Sequence, residues 1–240
     1  MWTSLGKRDL GRGRPLMGHV LAIDTSSGTS VAVLKDGIAL AEVEIADTRS
    51  HTESIGDAIN DALKSAGVSP NRIHAVAVGR GPAPFTGLRV GIAAAIMFAE
   101  GVGAKLFGIV SLDAIAKQEF AKRGVAFGAE NSDQPLLVTS DARRSEHYWA
   151  LYSGLDRHGV PLCIEGPSVN KPADIESSLA TRGISAATTS VVISARSIGE
   201  LFEAQAAAGS LSHDVTALYL RNPDAVEPKN LRDFGKRVSG

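Results

Sequence analysis

The chain has 240 residues, of which 44% are hydrophobic and 21% charged, and its formal net charge is −1. This length allows one large domain or two smaller ones with a real core, and the composition is that of a soluble globular protein. A chain so close to neutral has no overall basic field to hold nucleic acid. The single cysteine, Cys163, excludes an internal disulfide, and we expect it to be a small apolar side chain on a buried strand.

The two ends of the chain differ in character from the rest. Residues 1–16 are expected to form a disordered extension, because they are polar and basic and contain no apolar run of the signal-peptide type before Pro15. The first predicted strand begins directly after Met17, so our hypothesis is that Met17 is the natural start. Residues 223–240 are polar and interrupted by proline, and we expect a loose tail there.

The first half of the chain predicts a three-stranded meander and then alternating helices and strands. Apolar runs bounded by turn residues mark the strands, and Asp36-Gly37 is a hairpin turn signal. Apolar residues at helical spacing mark the helices, with Thr52 and Ser111 as their predicted caps. The predicted strands are 19–24, 30–35, 38–46, 73–79 and 106–109, and the predicted helices are 52–66, 90–99 and 111–123.

The second half repeats this theme less regularly. Its predicted strands are 136–143, 146–153, 160–166 and 190–194, and its predicted helices are 172–180 and 195–208. In each half strands come first, and helices and strands then alternate, which is typical of an α/β fold with mixed sheets. We therefore predict two related lobes, at 17–115 and 116–222.

A glycine-rich turn, Gly79–Gly81, lies between a predicted strand and an apolar helix, where proteins often bind phosphate. A Walker-type loop would end in lysine and a hydroxyl residue, but here Leu88 and Arg89 follow Gly87. Pro82 and Pro84 each remove a backbone donor from the loop. The loop is therefore poorly suited to hold phosphate by itself.

The run that follows, 90–99, is apolar on every side when it is drawn as a helix. It is too short to cross a bilayer, which takes about twenty residues. Either this chain encloses the helix on all sides, or one side lies on its own sheet and the other against a partner. The residues alone leave both alternatives open.

Five stretches in chain order resemble one family. They are HVLAIDTSSGTSVAVL, RSHTESI, AVAVGRGPAPFTGLRVGIAAA, GIVSLDAIA and SDARRSEHYWALY, and YLRNP near the end is similar too. The resemblance, over roughly residues 19–153, is to the TsaB (YeaZ) family of the bacterial machinery that makes threonylcarbamoyladenosine on tRNA. Ala83-Pro84 departs from the Gly-Ser that this family usually has, which bears on any backbone role of the loop.

The resemblance implies an α/β fold of the actin/Hsp70/sugar-kinase type, with two ribonuclease-H-like lobes and mixed sheets. It also implies a cytoplasmic, non-catalytic scaffold subunit that binds the transferase TsaD through the helices of its first lobe, residues 17–115. TsaE would join the pair, and a homodimer would form through the same surface. Contact with tRNA would be indirect, and no membrane is implied. We assign to the docking surface Ile55, Ile59, Leu63, Arg89, Ile92 and Ile96.

An active site of the transferase type is not expected in this chain. TsaD-like enzymes bind a metal through two histidines four residues apart on one helix, whereas here His51 is followed by Ile55 at the second position. We therefore expect no catalytic residue and no metal. Glu53 is an oxygen donor, but it would lie on a different face of the helix from His51.

Phosphate contacts of the actin-like type would come from an acid and hydroxyls in the first hairpin. The weak candidates for nucleotide contacts are Asp24, Thr25, Ser26, Thr86 and Arg89. A hydrogen-bonded turn is the preferred interpretation of the first three. We expect no cofactor of the chain's own, with ATP or ADP bound only at an interface with a partner.

Two enzymatic alternatives stay open at this stage. The first is an actin-fold ATPase or kinase acting alone, and the second is a metal-dependent peptidase. Tyr148 and Trp149 could stack on a base, although aromatic residues on a strand usually belong to the core. Arg143 and Arg144 could contact phosphate or could simply be solvated charges in a loop.

Overall fold

The computed structural model describes residues 18–46, 51–131, 134–190 and 192–221, with the backbone alone at 51–53. The predicted N-terminal extension, Met17 and the predicted tail lie outside these ranges, as do the side chains of His51, Thr52 and Glu53. The strands in the described ranges are β1 (His19–Asp24), β2 (Thr29–Lys35), β3 (Ile38–Ile45), β4 (Ile73–Gly79), β5 (Lys105–Ile109), β6 (Leu136–Asp141), β7 (His147–Leu155), β8 (Pro161–Asn170) and β9 (Ala187–Thr189). The helices there are α1 (His51–Ala66), α2 (Phe85–Val102), α3 (Ser111–Lys122), α4 (Pro172–Thr181) and α5 (Ala195–Ala208), and a short 3-10 turn spans Pro70–Arg72.

The two sheets share one strand pattern. The first has the order β3-β2-β1-β4-β5, with an antiparallel meander β1–β3 and with β4 and β5 added in parallel. The second has the order β8-β7-β6-β9, again an antiparallel meander with one strand added in parallel. In each half one helix precedes the first added strand and another follows it. The prediction of an α/β fold with mixed sheets in two related halves is confirmed.

The sheets and helices alternate in five layers. Helices α1 and α2 cover one face of the first sheet, α3 and α5 lie between the two sheets, and α4 covers the far face of the second sheet. Successive side chains of a strand point to opposite faces, so Leu21 and Ile23 face α1 and α2, while Val20 and Ala22 face α3 and α5. This burial on both faces explains why β1 is apolar almost throughout.

The middle layer joins the two halves. Leu112, Ile115 and Phe120 of α3 are buried in the same core as Ile198 and Phe202 of α5. Helix α5 follows the second sheet in the chain, yet it packs on β1 and β2 of the first sheet. The lobe limits 17–115 and 116–222 stay a prediction, because α3 spans the proposed division and α5 contacts both halves.

Two local predictions are wrong. The last strand lies at Ala187–Thr189 and not at 190–194, because it pairs with β6 in the register Leu136↔Ala187 and Val192 beyond it is 68% exposed. Cys163 is exposed rather than buried. The reason is its place on β8, which is an edge strand of the second sheet and has one partner strand only.

Helix α2 is longer than the predicted 90–99. It has 18 residues, starts after Pro84 and ends at Gly103, whose φ of 69° is the left-handed conformation that favours glycine at a helix end. By length and composition alone this helix is long enough to cross a membrane. The sequence-based argument that it is too short to do so is therefore wrong. Its Leu88, Ile92 and Ala95 are, however, buried in the core shared with α1 and the first sheet.

The close approach of α2 to the turn after β1 depends on a glycine. A Cβ atom at Gly91 would lie 2.2 Å from Thr25 Oγ1. That hydroxyl donates a hydrogen bond of 2.8 Å to the carbonyl oxygen of Gly87, one turn earlier in the same helix. The absence of a side chain at Gly91 therefore allows Thr25 to join the turn to the helix.

We predict that Gly91→Ala lowers the free energy of unfolding by about 1–3 kcal/mol, because the new methyl group displaces Thr25. Gly56→Ala is the matched control, since a Cβ at Gly56 in α1 meets nothing within 4 Å. The control should stabilise the protein by about 0.5–1 kcal/mol through helix propensity alone. Urea unfolding of both variants checks this, and equal stabilisation by both would contradict the contact.

Candidate docking face and interlobe cleft

Helix α2 has one buried side and one exposed side. Met97 is 75% exposed and Ile96 is 39% exposed, and Ala93 and Glu100 are exposed next to them. We call these four residues the outer face of α2. The interpretation in which this chain encloses the helix on all sides is wrong for the described residues, because none of them covers the outer face. What remains is a solvent-exposed apolar surface on an otherwise well-packed helix.

The residues predicted for the docking surface are not all accessible. Ile55, Ile59 and Leu63 of α1 are only 8%, 8% and 5% exposed and belong to the core of the first lobe. Ile92 is 9% exposed. The apolar stripe of α1 is used to cover β2 and β3, so it is not available to a partner. Of the predicted set only Arg89 and Ile96 are exposed, so we narrow the predicted surface to the side of α2 that they mark.

Sequence reasoning missed Met97 as an accessible residue. The signal was present, because positions 93, 96, 97 and 100 follow helical spacing and include one glutamate. Glu100 marks the solvent side, and its neighbours one turn earlier share that side. The apolar character of the whole run concealed this pattern.

The chain after α5 forms an extended segment, 211–221, which we call the strap. It begins along the edge of β5, where the Gly108 amide donates to the Ser212 carbonyl at 3.0 Å and the His213 ring stacks on Phe107 with centroids 4.3 Å apart. Arg80 forms an ion pair with Asp214. These contacts fix the strap to the first lobe although it is the last described segment of the chain.

The strap then crosses the start of α2 and reaches the second sheet. Tyr219 stacks on Phe85 with ring centroids 4.3 Å apart, and Arg89 Nε donates to Tyr219 Oη at 2.8 Å. The Arg89 guanidinium also lies over both rings, 5.4 and 5.5 Å from their centroids. Arg221 ends the segment with an ion pair of 2.8 Å to Glu146, at the turn between β6 and β7.

A groove of about 380 Å³ lies between α2 and the strap. Its lining residues are Arg89, Ile92, Ala93, Ile96, Val215, Thr216 and Ala217. The groove is continuous with the outer face of α2, because Ala93 and Ile96 belong to both.

Asp24, at the end of β1, is the centre of a buried hydrogen-bond network. Its carboxylate accepts bonds from the Ser26 amide at 2.7 Å and from Ser111 Oγ at 2.9 Å. The Gly81 amide donates to the same Ser111 hydroxyl at 3.2 Å. Ser111 therefore ties the Gly79–Gly81 turn to Asp24 and does not cap α3, whose N-cap position is held by Val110.

Burial raises the pKa of Asp24 to about 6, although the hydrogen bonds from Ser26 and Ser111 act in the opposite direction. The site leaves no room beside the carboxylate, because a Cβ at Gly79 would lie 1.9 Å from Asp24 Oδ2. Asp113 in α3 has its pKa raised to about 6 in the same way, and it accepts a 2.6 Å bond from Tyr152 Oη. Both carboxylates are thus held inside the protein.

The structure brings together only some of the nucleotide candidates. Asp24, Thr25 and Ser26 lie in one turn, but their polar groups bond to Ser111, to Gly87 and to each other. Thr86 is exposed. Arg89 points to the strap instead, where it meets Tyr219.

A cleft of about 200 Å³ lies between the first hairpin, the Pro82–Pro84 loop and the β6–β7 turn. Its lining residues are Ser26, Ser27, Pro82, Ala83, Pro84, Ile115, Ser140, Asp141, Arg143 and Ile193. The Ala83-Pro84 departure forms part of one wall, where Pro84 offers no N–H. Arg143, Arg144 and Ser145 have φ values of 66°, 53° and 60°, a left-handed stretch that is costly for residues other than glycine.

Two further sequence predictions can be placed. Tyr148 and Trp149 are 4% and 5% exposed and belong to the core, as expected for aromatic residues on a strand. Among the side chains that the structure describes, which exclude those of His51 and Glu53, there is no group of three or more His, Cys, Asp or Glu residues placed to hold a metal ion.

The sequence of this chain matches known proteins. Residues 39–198 match the TsaD family, described as tRNA N6-adenosine threonylcarbamoyltransferase. The chain is 36% identical over 160 residues to an uncharacterised protein of Mycobacterium tuberculosis, covering 65% of this chain and 67% of that one. It is also 36% identical over 155 residues to the Escherichia coli tRNA threonylcarbamoyladenosine biosynthesis protein TsaB, covering 64% of this chain and 63% of TsaB.

Other relatives are covered less fully. A protein of Mycobacterium leprae is 34% identical over 221 residues, which span 87% of this chain and 56% of that protein. The matches therefore span from about half to two thirds of the relatives' own length.

Solved structures agree in fold. YeaZ from Pseudomonas aeruginosa superimposes with a TM-score of 0.67 at 22% identity, over 85% of this chain and the whole of that one. A second P. aeruginosa structure, described as similar to peptidase YeaZ, gives a TM-score of 0.70 at 24% identity over the same shares. The fold is that of the actin/Hsp70/sugar-kinase type, with paired mixed sheets. Together with the five resembling stretches, these matches show that the chain belongs to the TsaB family, also called YeaZ.

Proposed function

We propose that this protein is a non-catalytic subunit that binds the TsaD-type transferase in threonylcarbamoyladenosine modification of tRNA. The pathway comes from the relatives: the E. coli, Haemophilus influenzae and Bacillus subtilis proteins are all named for it. The single observation that supports the docking role is the outer face of α2, where Met97 and Ile96 are exposed on an apolar helix.

Docking would remove an apolar surface from water. Each Å² of apolar surface buried contributes about 25 cal/mol, before the cost of association is subtracted. Burying a side chain as exposed as Met97 would therefore contribute favourably to the free energy of binding. Methionine also adapts its shape easily to a partner surface. The exposed position of Glu100 beside it would place a charge at the rim of the contact.

A catalytic role of this chain alone is not supported by its first hairpin. Asp24 is buried, and its carboxylate accepts hydrogen bonds from Ser26 and Ser111. A phosphate group would need donors directed outward, whereas the Thr25 hydroxyl donates to Gly87 and the Ser26 amide and hydroxyl donate to Asp24. We therefore propose that ATP or ADP is held only where a partner completes the site.

The proposed assembly has three further members or states. TsaE would join the pair with TsaD, a homodimer would form through the same outer face of α2, and tRNA would be contacted indirectly. The near-neutral charge of the chain is consistent with an indirect contact. We place the assembly in the cytoplasm, where the modification machinery acts on tRNA.

We predict that Met97→Asp weakens binding to the TsaD-type subunit of the same organism by at least 30-fold, because it buries a charge in an apolar contact. Ile164→Asp is the matched control, since Ile164 is also an exposed apolar residue, at 54%, but lies on β8 of the second sheet. The control should bind within twofold of the wild type in biolayer interferometry. Equal binding by Met97→Asp and the wild type would refute the proposal. Ile92 is unsuitable for this test, because it is buried.

The isolated chain should not bind nucleotide. Isothermal titration with Mg·ATP is expected to give no saturable heat up to about 1 mM, the range of weak encounters. A dissociation constant in the micromolar range for the chain alone would contradict the proposal and favour the ATPase alternative.

Asp24→Asn should change the pH dependence of stability. The pKa of Asp24 is raised from 3.8 to about 6 in the folded state. The contribution of the protonated Asp24 carboxyl to the free energy of unfolding is therefore complete below pH 4 and is lost as the pH rises through 6. Removing the charge should therefore raise the stability of the variant relative to the wild type by about 3 kcal/mol between pH 4 and pH 7.5. Asp113 also titrates in this range, but it is present in both proteins, so its effect cancels in the difference between their stabilities. Denaturant unfolding at the two pH values tests this, and a pH-independent difference would show that the carboxylate is not buried as described.

A further inference from the structure

The strap forms the second wall of the groove beside the outer face of α2. From this geometry we infer that the strap is half of the docking site: an apolar side chain of the catalytic partner enters the groove, and a neighbouring carboxylate of that partner pairs with Arg89. This inference rests on the proposed function and adds the chemistry of the partner surface to it.

The size of α2 shows that it cannot form the interface alone. A helix of 18 residues is about 27 Å long, and its exposed side is about 10 Å wide, which gives a footprint of about 270 Å². A stable protein–protein interface buries about 800 Å² on each partner. The contact must therefore extend sideways from α2 onto a neighbouring element.

The two neighbours of α2 differ in polarity. The exposed side of α1 carries Asp57, Asn60, Asp61 and Lys64. On the other flank the strap presents Val215 and Ala217, which are half-buried against the core of the first lobe. Since the centre of an interface is depleted in charged residues, the apolar contact extends towards the strap.

The groove has the volume and the charge for such a partner surface. At about 380 Å³ it can hold a large apolar side chain, and its lining includes the buried Ile92 and the exposed Ile96. Arg89 is the one charged residue of the lining. Only its Nε is hydrogen-bonded to a described residue, Tyr219, so both Nη groups can donate to a carboxylate of the partner.

The strap is held firmly enough to act as a wall. Its contacts with Phe107, Arg80 and Phe85 fix it at three points along its length. The position of the Arg89 guanidinium over the Phe85 and Tyr219 rings also restricts it before any partner arrives. A pre-ordered arginine loses less conformational entropy when it pairs with a carboxylate.

The test fills the groove from each wall separately. Ala93→Phe fills it from α2, and Thr216→Phe fills it from the strap; both residues are exposed, so neither change disturbs the core. Ala180→Phe is the matched control for Ala93→Phe, because it also replaces an exposed helical alanine by phenylalanine. It lies on α4, far from the groove. Circular dichroism confirms the folding of each variant, and interferometry measures its binding to the TsaD-type subunit.

We expect both groove variants to weaken binding at least tenfold and Ala180→Phe to bind within twofold of the wild type. Arg89→Gln should weaken binding and also flatten its dependence on salt. If Met97→Asp weakens binding but Thr216→Phe does not, the inference about the strap is wrong while the docking role stands. If Met97→Asp has no effect, the proposed function itself fails.

Discussion

Helix α2 has to pack against the first sheet with its inner side while its outer side stays available to a partner, and this constraint determines the arrangement of the first lobe. Its inner side must lie close to the first sheet, which Gly91 makes possible by leaving room for Thr25. Its outer side is apolar without any covering element in the described ranges. Such a helix can leave its outer side available to a partner at little cost to the stability of the fold, because its buried side alone holds it in place.

The same region shows why the first hairpin is better suited to structure than to chemistry. The Asp24 carboxylate joins the end of β1, the Gly79–Gly81 turn and the start of α3 through Ser111. In a working phosphate site these groups would face a ligand, whereas here they bond to one another. The network thereby fixes the start of α3, and Thr25 next to Asp24 bonds to Gly87 near the start of α2. A residue set that resembles a nucleotide site therefore serves to position the proposed docking face.

The helices and most strands could be predicted because their apolar patterns are local. The runs in β1, β2 and β4 are long, and they are buried on both faces, which gives continuous apolar sequence. The strap had no such signal: residues 211–221 have no periodicity, and their contacts with Phe85 and Phe107 join positions more than 100 residues apart. The edge position of Cys163 and the burial of Ile55 depend on which elements lie next to them, and that is a property of the three-dimensional arrangement.

The central claim is that the outer face of α2 is covered by the catalytic partner. Met97 reports on this directly, because it is 75% exposed and the chain has three methionines in all. Its oxidation by dilute hydrogen peroxide can be followed by mass spectrometry of the tryptic peptides, with the protein alone and with saturating TsaD-type subunit. The account predicts rapid oxidation of Met97 in the free protein and at least tenfold slower oxidation in the complex. An unchanged rate in a complex shown to have formed would contradict it.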